Sequence, residues 1–282
     1  MKIRELNELL DGRFPPALSC DWDNDGLLVS PDPDATVSGV LVALDPSDEA
    51  IDEAEKRGCN VLLTHHPLLF DRISSFTPEN GVSRRVLRLL SLGISTVACH
   101  TRADAAKGGV NDALAALLGL SDVVPFGDGI PRIGTLPAPL PVREAVAGIL
   151  GATGAKTALY SGKAPGSVFT VAVCGGSGKD CLSAAAEAGA DLYLTGEISY
   201  HARLDAADLP MLVCEIGHDA SETHVVNVFS SFLASAAPGL RVETFPYYPG
   251  DGFSGARLDI WPLLCYTFSV HRNKRPRKDF TV

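Results

Sequence analysis

A chain of 282 residues, 46% hydrophobic and 21% charged, has material for a sizeable core, in one large domain or two ordinary ones, and is not a disordered segment. Its formal charge of −10 argues against nucleic-acid binding through a basic face and leaves a small molecule or a protein as partner. The opening "MKIRELNELLDGRFPP" alternates charge with leucine, unlike a signal peptide, and no stretch reads as a membrane span.

In chain order, short apolar runs alternate with helical patterns: "VSGVLVALD" (strand), "SDEAIDEAEKRG" (helix), "NVLLTH" (strand), "SRRVLRLLSLG" (helix), "STVACH" (strand), "GGVNDALAALLG" (helix). The strands are continuous apolar runs, as strands covered on both faces should be. A Pro/Gly-rich interval, residues 125–141, breaks the pattern as a hinge between halves, with "RIGTL" as an edge strand. The same syntax then returns: "VREAVAGILG" (helix), "VFTVAVCGG" (strand), "KDCLSAAAEAG" (helix), "DLYLTGE" (strand), "YHARLDAADL" (helix), "MLVCEIG" (strand), "SETHVVNVFSSFLA" (helix) and "RVETF" (strand). The expected class is α/β, as mixed sheets covered by helices. The expected divisions are an N-terminal half over 1–124, linker and connecting elements over 125–165, a C-terminal half over 166–248 and a tail over 249–282.

The halves align without a gap at an offset of 131 residues, which carries Val40 onto Val171, Gly58 onto Gly189 and Thr64 onto Thr195. One element further on, His100 precedes Asp104 by four residues and His218 precedes Glu222 by four. Two βαβ units can align by patterning alone, but the repeated His-x-x-x-acid after corresponding strands favours duplication.

Ligands collect at the carboxyl ends of strands in open α/β sheets. The polar residues that interrupt these apolar runs fall there: His65 and His66, His100 and Asp104, Thr195 to Glu197, His218 and Glu222. Imidazole and carboxylate suit zinc, manganese, iron, cobalt or nickel. Such a set exceeds the needs of one four-coordinate ion, and two divalent ions sharing a carboxylate are the economical arrangement. Neighbouring side chains diverge at a strand end, so His65 and His66 are expected to serve different ions. Taken singly, each signal is weak, since His-His-Pro is more often a turn. "GGSGK" (175–179) lacks the first P-loop glycine, Val173 standing there, and is expected as a tight turn. Trp22 in "DWDND" is as readily a turn as a pocket wall. His224 and His271 are assigned to a helix surface and the tail. Seven scattered cysteines with no C-x-x-C pair are expected to be reduced, in a cytoplasmic protein.

Together "WDNDGLLV" (22–29), "LLTHHPLLF" (62–70), "CHTRADAAKGGVNDALA" (99–115), "LTGEISYH" (194–201) and "GHDASE" (217–222) resemble, in order and spacing, the NIF-three-like dinuclear metal centre family, the type 2 GTP cyclohydrolase homologues. The resemblance covers roughly residues 1–248. It implies two related α/β domains with a metal cleft between them, assembled as a homohexameric ring. It implies His65, His66, Asp104, His218 and Glu222 as ligands, with Glu222 touching both ions. His100 falls in a supporting position, and Glu197 and His201 become candidate proton shuttles. The family's inserted domain does not fit in the interval 125–165. Arg102 and Asp219 depart from its pattern and are expected to alter charge near the metals. The reaction implied is hydrolysis with a metal-activated water: purine ring opening of GTP, or hydrolysis of another nucleotide or phosphoester. The alternative from another class is a non-enzymatic metal-delivery or regulatory scaffold.

Overall fold

The computed structural model describes residues 1–245; the expected tail and His271 lie outside them. Strands β2 (Val40–Ala43), β3 (Val61–Thr64) and β4 (Ser95–Ala98) run parallel and are buried at every position. Their pleat sends alternate residues into different cores. Val40, Val42, Val61 and Leu63 pack with α1 (Ile3–Arg13) and α10 (Val225–Ala236). Leu41, Ala43 and Leu62 pack with α2 (Asp48–Lys56) and α3 (Gly81–Leu92). The helix ends obey capping chemistry: Ser47 Oγ accepts the Ala50 amide at α2, and Asn80 Oδ1 accepts two amides at α3. Gly93, at φ 70°, then closes α3 in the left-handed conformation that glycine adopts without a Cβ clash.

Strand β1 (Gly26–Val29) joins antiparallel to β4, and β11 (Val242–Thr244) joins parallel to β2, giving the order β1-β4-β3-β2-β11. Helix α4 (Thr101–Ala105) follows β4, and α5 (Val110–Leu117) then leads to the second sheet, with Val110 in the first core and Leu114 in the next.

The second sheet has the order β5-β6-β8-β9-β10-β7. Its members are β5 (Ser121–Pro125), β6 (Arg132–Leu140), β7 (Leu159–Gly162), β8 (Val168–Ser177), β9 (Leu192–Glu197) and β10 (Leu212–Glu215). Helix α6 (Val142–Thr153) covers one face, and α7 (Leu182–Glu187) and α8 (Tyr200–Ala206) cover the other. The protein is thus mixed α/β, with two mixed sheets covered by helices. Among the described residues no helix is long and apolar enough to cross a membrane.

The duplication survives in the register. Val40 pairs with Val61 and Ala43 with Thr64; 131 residues on, Val171 pairs with Leu192 and Cys174 with Thr195. Each sheet then adds a parallel strand, β4 or β10, and an antiparallel edge, β1 or β7.

Three readings of the sequence change. "RIGTL" is no edge: β5 covers the outer side of β6. The interval read as linker and connecting elements holds β6 and β7, both strands of the second sheet. The last expected strand, β11, returns to the first sheet because its free edge lies beside β2.

Arg102 also sits elsewhere than expected. It is wholly buried, and its guanidinium donates to Asp11 Oδ1 (2.5 Å), Phe14 O (3.1 Å) and Ala98 O (3.0 Å), with Nε 3.2 Å from Asp25 Oδ2. It ties α4 to the end of α1, and its charge is answered there. Removing one partner of such a buried pair strands the other charge in the interior. Arg102→Met should therefore lower unfolding free energy by about 3–5 kcal/mol in a denaturant titration.

Candidate metal centre

Three strand ends deliver the site. His65 and His66 follow β3, His100 follows β4 with Asp104 on α4, and β10 leads through Gly217 into α9 (His218–Glu222). The amides of His65 and His66 both donate to Leu44 O, which fixes the turn that parts their side chains.

His65 is fully buried, and its Nδ1 lies 3.0 Å from Cys99 O. A carbonyl only accepts, so Nδ1 carries the proton and Nε2 offers a lone pair. Burial lowers the His65 pKa, which keeps the ring neutral. That lone pair lies 3.6 Å from Asp104 Oδ1 and 3.6 Å from Glu222 Oε1. His65 Nε2 and Asp104 Oδ1 are buried without a hydrogen-bond partner. Buried polar atoms that meet with no hydrogen bond among them form a donor set that a cation would satisfy.

A second group lies beside the first. His66 Nε2 and His218 Nε2 are 3.3 Å apart, and they lie 3.1 and 3.2 Å from Glu222 Oε2. Their outer nitrogens are held by carboxylates, His66 Nδ1 by Asp45 Oδ1 at 2.7 Å and His218 Nδ1 by Glu197 Oε1 at 3.1 Å. A ring nitrogen that donates to a carboxylate or carbonyl, leaving the other free, is the arrangement that orients histidine toward a metal. Glu222, 3% exposed, sends one oxygen to each group. The sets His65–Asp104–Glu222 and His66–His218–Glu222 both have the donors and closeness to hold a metal ion, as does His65–His66–His100.

The proton affinities register the same crowding. Burial, and then the neighbouring Glu222 charge, hold Asp104 well above the usual carboxylate range. Burial pushes Glu222 the same way, but the neighbouring His218, His65 and His66 rings hold it well below. Burial opposes protonation of His66, yet Asp45 and Glu222 raise it to about 10. Glu222, against the opposing effect of burial, raises His218 to about 9.

These residues line a cleft of about 530 Å³, walled also by Trp22, Phe70, His100, Cys174 and Cys181. His100 Nδ1 donates to Asp23 Oδ1 (2.8 Å), whose other oxygen accepts from Thr101.

The model of the Duf34/NIF3 (NGG1p interacting factor 3) family matches residues 1–248. The chain belongs to this family. Among its relatives is a "GTP cyclohydrolase 1 type 2 homolog" of Clostridium acetobutylicum, 30% identical over 252 residues, covering 86% of this chain and 94% of the relative. One of the same name from Streptomyces coelicolor is 35% identical over 234 residues, covering 78% and 81%. A "Protein NIF3 homolog" of Schizosaccharomyces pombe is 31% identical over 252 residues, covering 82% and 89%. Among solved structures, reduced HcgD from Methanocaldococcus jannaschii superposes with a TM-score of 0.77 at 31% identity, covering 88% of this chain and 98% of that one. A hypothetical protein of Staphylococcus aureus gives 0.81 at 25%, covering 88% and 97%.

The structure brings together His65, His66, His100, Asp104, His218 and Glu222, and sets Glu197 behind His218. His201 stands apart: it is exposed on α8, edge-on to the Tyr200 ring, and outside the residues that wall the cleft. Asp219 begins α9 outside these clusters. His224 is not on a helix surface; it is buried, and its Nε2 donates to Val110 O at 2.8 Å. Two supporting carboxylates, Asp45 and Asp23, escape the sequence reading. Asp45 lies two residues past the β2 end, so the strand-end rule that found the histidines reaches it too.

"GGSGK" serves this site by its emptiness. The amides of Gly175, Gly176 and Gly178 are taken by Asn111 Oδ1, Ser221 Oγ and Thr195 Oγ1, so none of these three is left for an anion. A Cβ on Gly176, at φ 63°, would lie 2.4 Å from Glu222 Oε1 and 3.2 Å from His218 Nε2. Gly176→Ala should displace the Glu222 carboxylate from His65, visible in a crystal structure of the variant, and add about 1–2 kcal/mol of left-handed backbone strain to the unfolding balance.

Proposed function

We propose that this protein is a metal-dependent hydrolase whose cleft holds two divalent ions bridged by Glu222. The observation that carries this reading is the division of Glu222, its Oε1 facing His65 and its Oε2 facing His66 and His218. His65, Asp104 and Glu222 would hold one ion, and His66, His218 and Glu222 the other. Zinc, manganese, iron, cobalt and nickel all accept such nitrogen and oxygen donors. Bound ions of this kind supply Lewis acidity and lower the pKa of water toward neutrality. The chain's own share is to orient and to move protons. Cys99 O, Asp45 and Glu197 lock three imidazoles by their outer N–H groups. His100, held by Asp23 at the cleft wall, has the place of a proton carrier. The relatives' printed name supports opening of a purine ring as the reaction, and the same donor set serves a phosphoester.

Metal analysis of the purified protein should give two ions per chain, and close to none in the His65→Ala/His66→Ala double variant. Equal metal in both proteins would refute the site. A screen of nucleotides and phosphoesters on the metal-loaded protein should then find turnover that Glu222→Gln abolishes without unfolding the chain. Full metal with no turnover would favour the delivery or regulatory scaffold.

Of the two exposed or cleft-wall histidines, His100→Asn should reduce that turnover about 10²-fold or more, the lower range for a general acid–base, and His201→Asn should leave it within two-fold. The reverse ranking would return the proton shuttle to His201. A homohexameric ring is part of the proposal, supported by the exposed apolar side chains Leu159 and Tyr160 of β7 and Tyr200 and Leu204 of α8. Sedimentation equilibrium reads its mass directly.

A further inference from the structure

Two loops meet at the mouth of the cleft. Asn24 Nδ2 donates to Leu69 O at 2.5 Å and holds the segment before β1 against the one that follows Pro67. Each contributes one aromatic ring, Trp22 at 63% exposure and Phe70 at 51%. The two rings stand edge to face with centroids 6.0 Å apart, and each reaches the His100 ring, at 6.2 and 6.0 Å. Asp23, next to Trp22, is committed to His100 and Thr101, so the tryptophan's backbone is pinned to the site. A tryptophan and a phenylalanine left half in water forgo the transfer free energy that burial would return. Exposed rings gathered beside a donor cluster mark a ligand contact.

Charge does not decide the ligand: Asp104, Asp128, Asp180 and Glu222 wall the cleft beside His66 and His218, and Asp180 is paired with Lys179. A planar π-face stacks on an aromatic side chain whatever its sequence of ring atoms, and needs no cation.

We propose that Trp22 and Phe70 form a stacking platform for the planar heteroaromatic ring of the ligand. The proposal rests on the hydrolase reading for what happens to that ligand, while the ring contact belongs to the chain alone.

The test uses full-length protein carrying Trp261→Phe, which leaves Trp22 as its indole. It is titrated with guanosine, GTP and ribose 5-phosphate, as purified and after chelator treatment. Guanosine should quench the emission saturably, and ribose 5-phosphate should not. In the chelated protein GTP, which carries the same ring, should quench saturably as well. By equilibrium dialysis, Trp22→Ala and Phe70→Ala should each weaken guanosine at least about five-fold, the lower range for ring stacking, with metal content unchanged. Absence of saturable guanosine binding, or wild-type guanosine affinity in Trp22→Ala, overturns the platform. A change of oligomer mass in Trp22→Ala with guanosine binding intact overturns it too, by assigning the rings to contacts between copies. Guanosine binding to wild type that holds no metal would refute the dinuclear site and leave the platform standing.

Discussion

A carboxylate buried as deeply as Glu222 must be answered by positive charge, because the interior penalises an ion that water no longer solvates. The neighbours that Glu222 meets are imidazoles whose outer protons are already spent on Cys99 O, Asp45 and Glu197. Their inner nitrogens turn toward Glu222 and, freed of protons, have the donors and closeness to hold a metal ion. Everything around Glu222 serves that arrangement. Asp45 and Glu197 hold rings in place, α9 carries the carboxylate over β8 and β9, and Gly175 and Gly176 leave the space through which it passes.

The duplication explains how one chain came to supply both sides. Thr64 and Thr195 occupy the same place in the two registers, and the next two residues diverge: His65 and His66 in one copy, Gly196 and Glu197 in the other. In the first copy the strand end supplies donors directly. In the second it makes room, since a Cβ on Gly196 would lie 2.8 Å from His218 Cα, and then steadies His218 through Glu197. The two strand ends thus share a backbone and divide the labour.

Much of this was legible because strands buried on both faces leave a strong trace. A polar residue that ends such a run has few reasons to be there, and that rule found His65, His66, His100, Asp104, His218 and Glu222. It did not find Gly176, whose contribution is an absent atom. The short edges β1, β5 and β7 carry half-exposed, mixed residues and were not separable from loops. Arg102 misled for a related reason: its place in a metal-flanking motif is visible, but the burial that pairs it with Asp11 and Asp25 depends on α1, distant in sequence.

The return of β11 to the first sheet makes the second sheet an insertion within the first. Val225, Val226, Phe229 and Leu233 of α10 fill the core formed by Val40, Val42, Val61 and Leu63. The amino-terminal sheet therefore has a raw edge and an open core face until residues 225–244 have been made. Cutting the chain near residue 125 would release a fragment lacking one wall and one strand, prone to pair with another copy through the bare β2 edge. Assembly of this fold is thereby a closing act, in which a segment made after the whole second sheet seals the first and sets the strand ends of both sheets around one carboxylate.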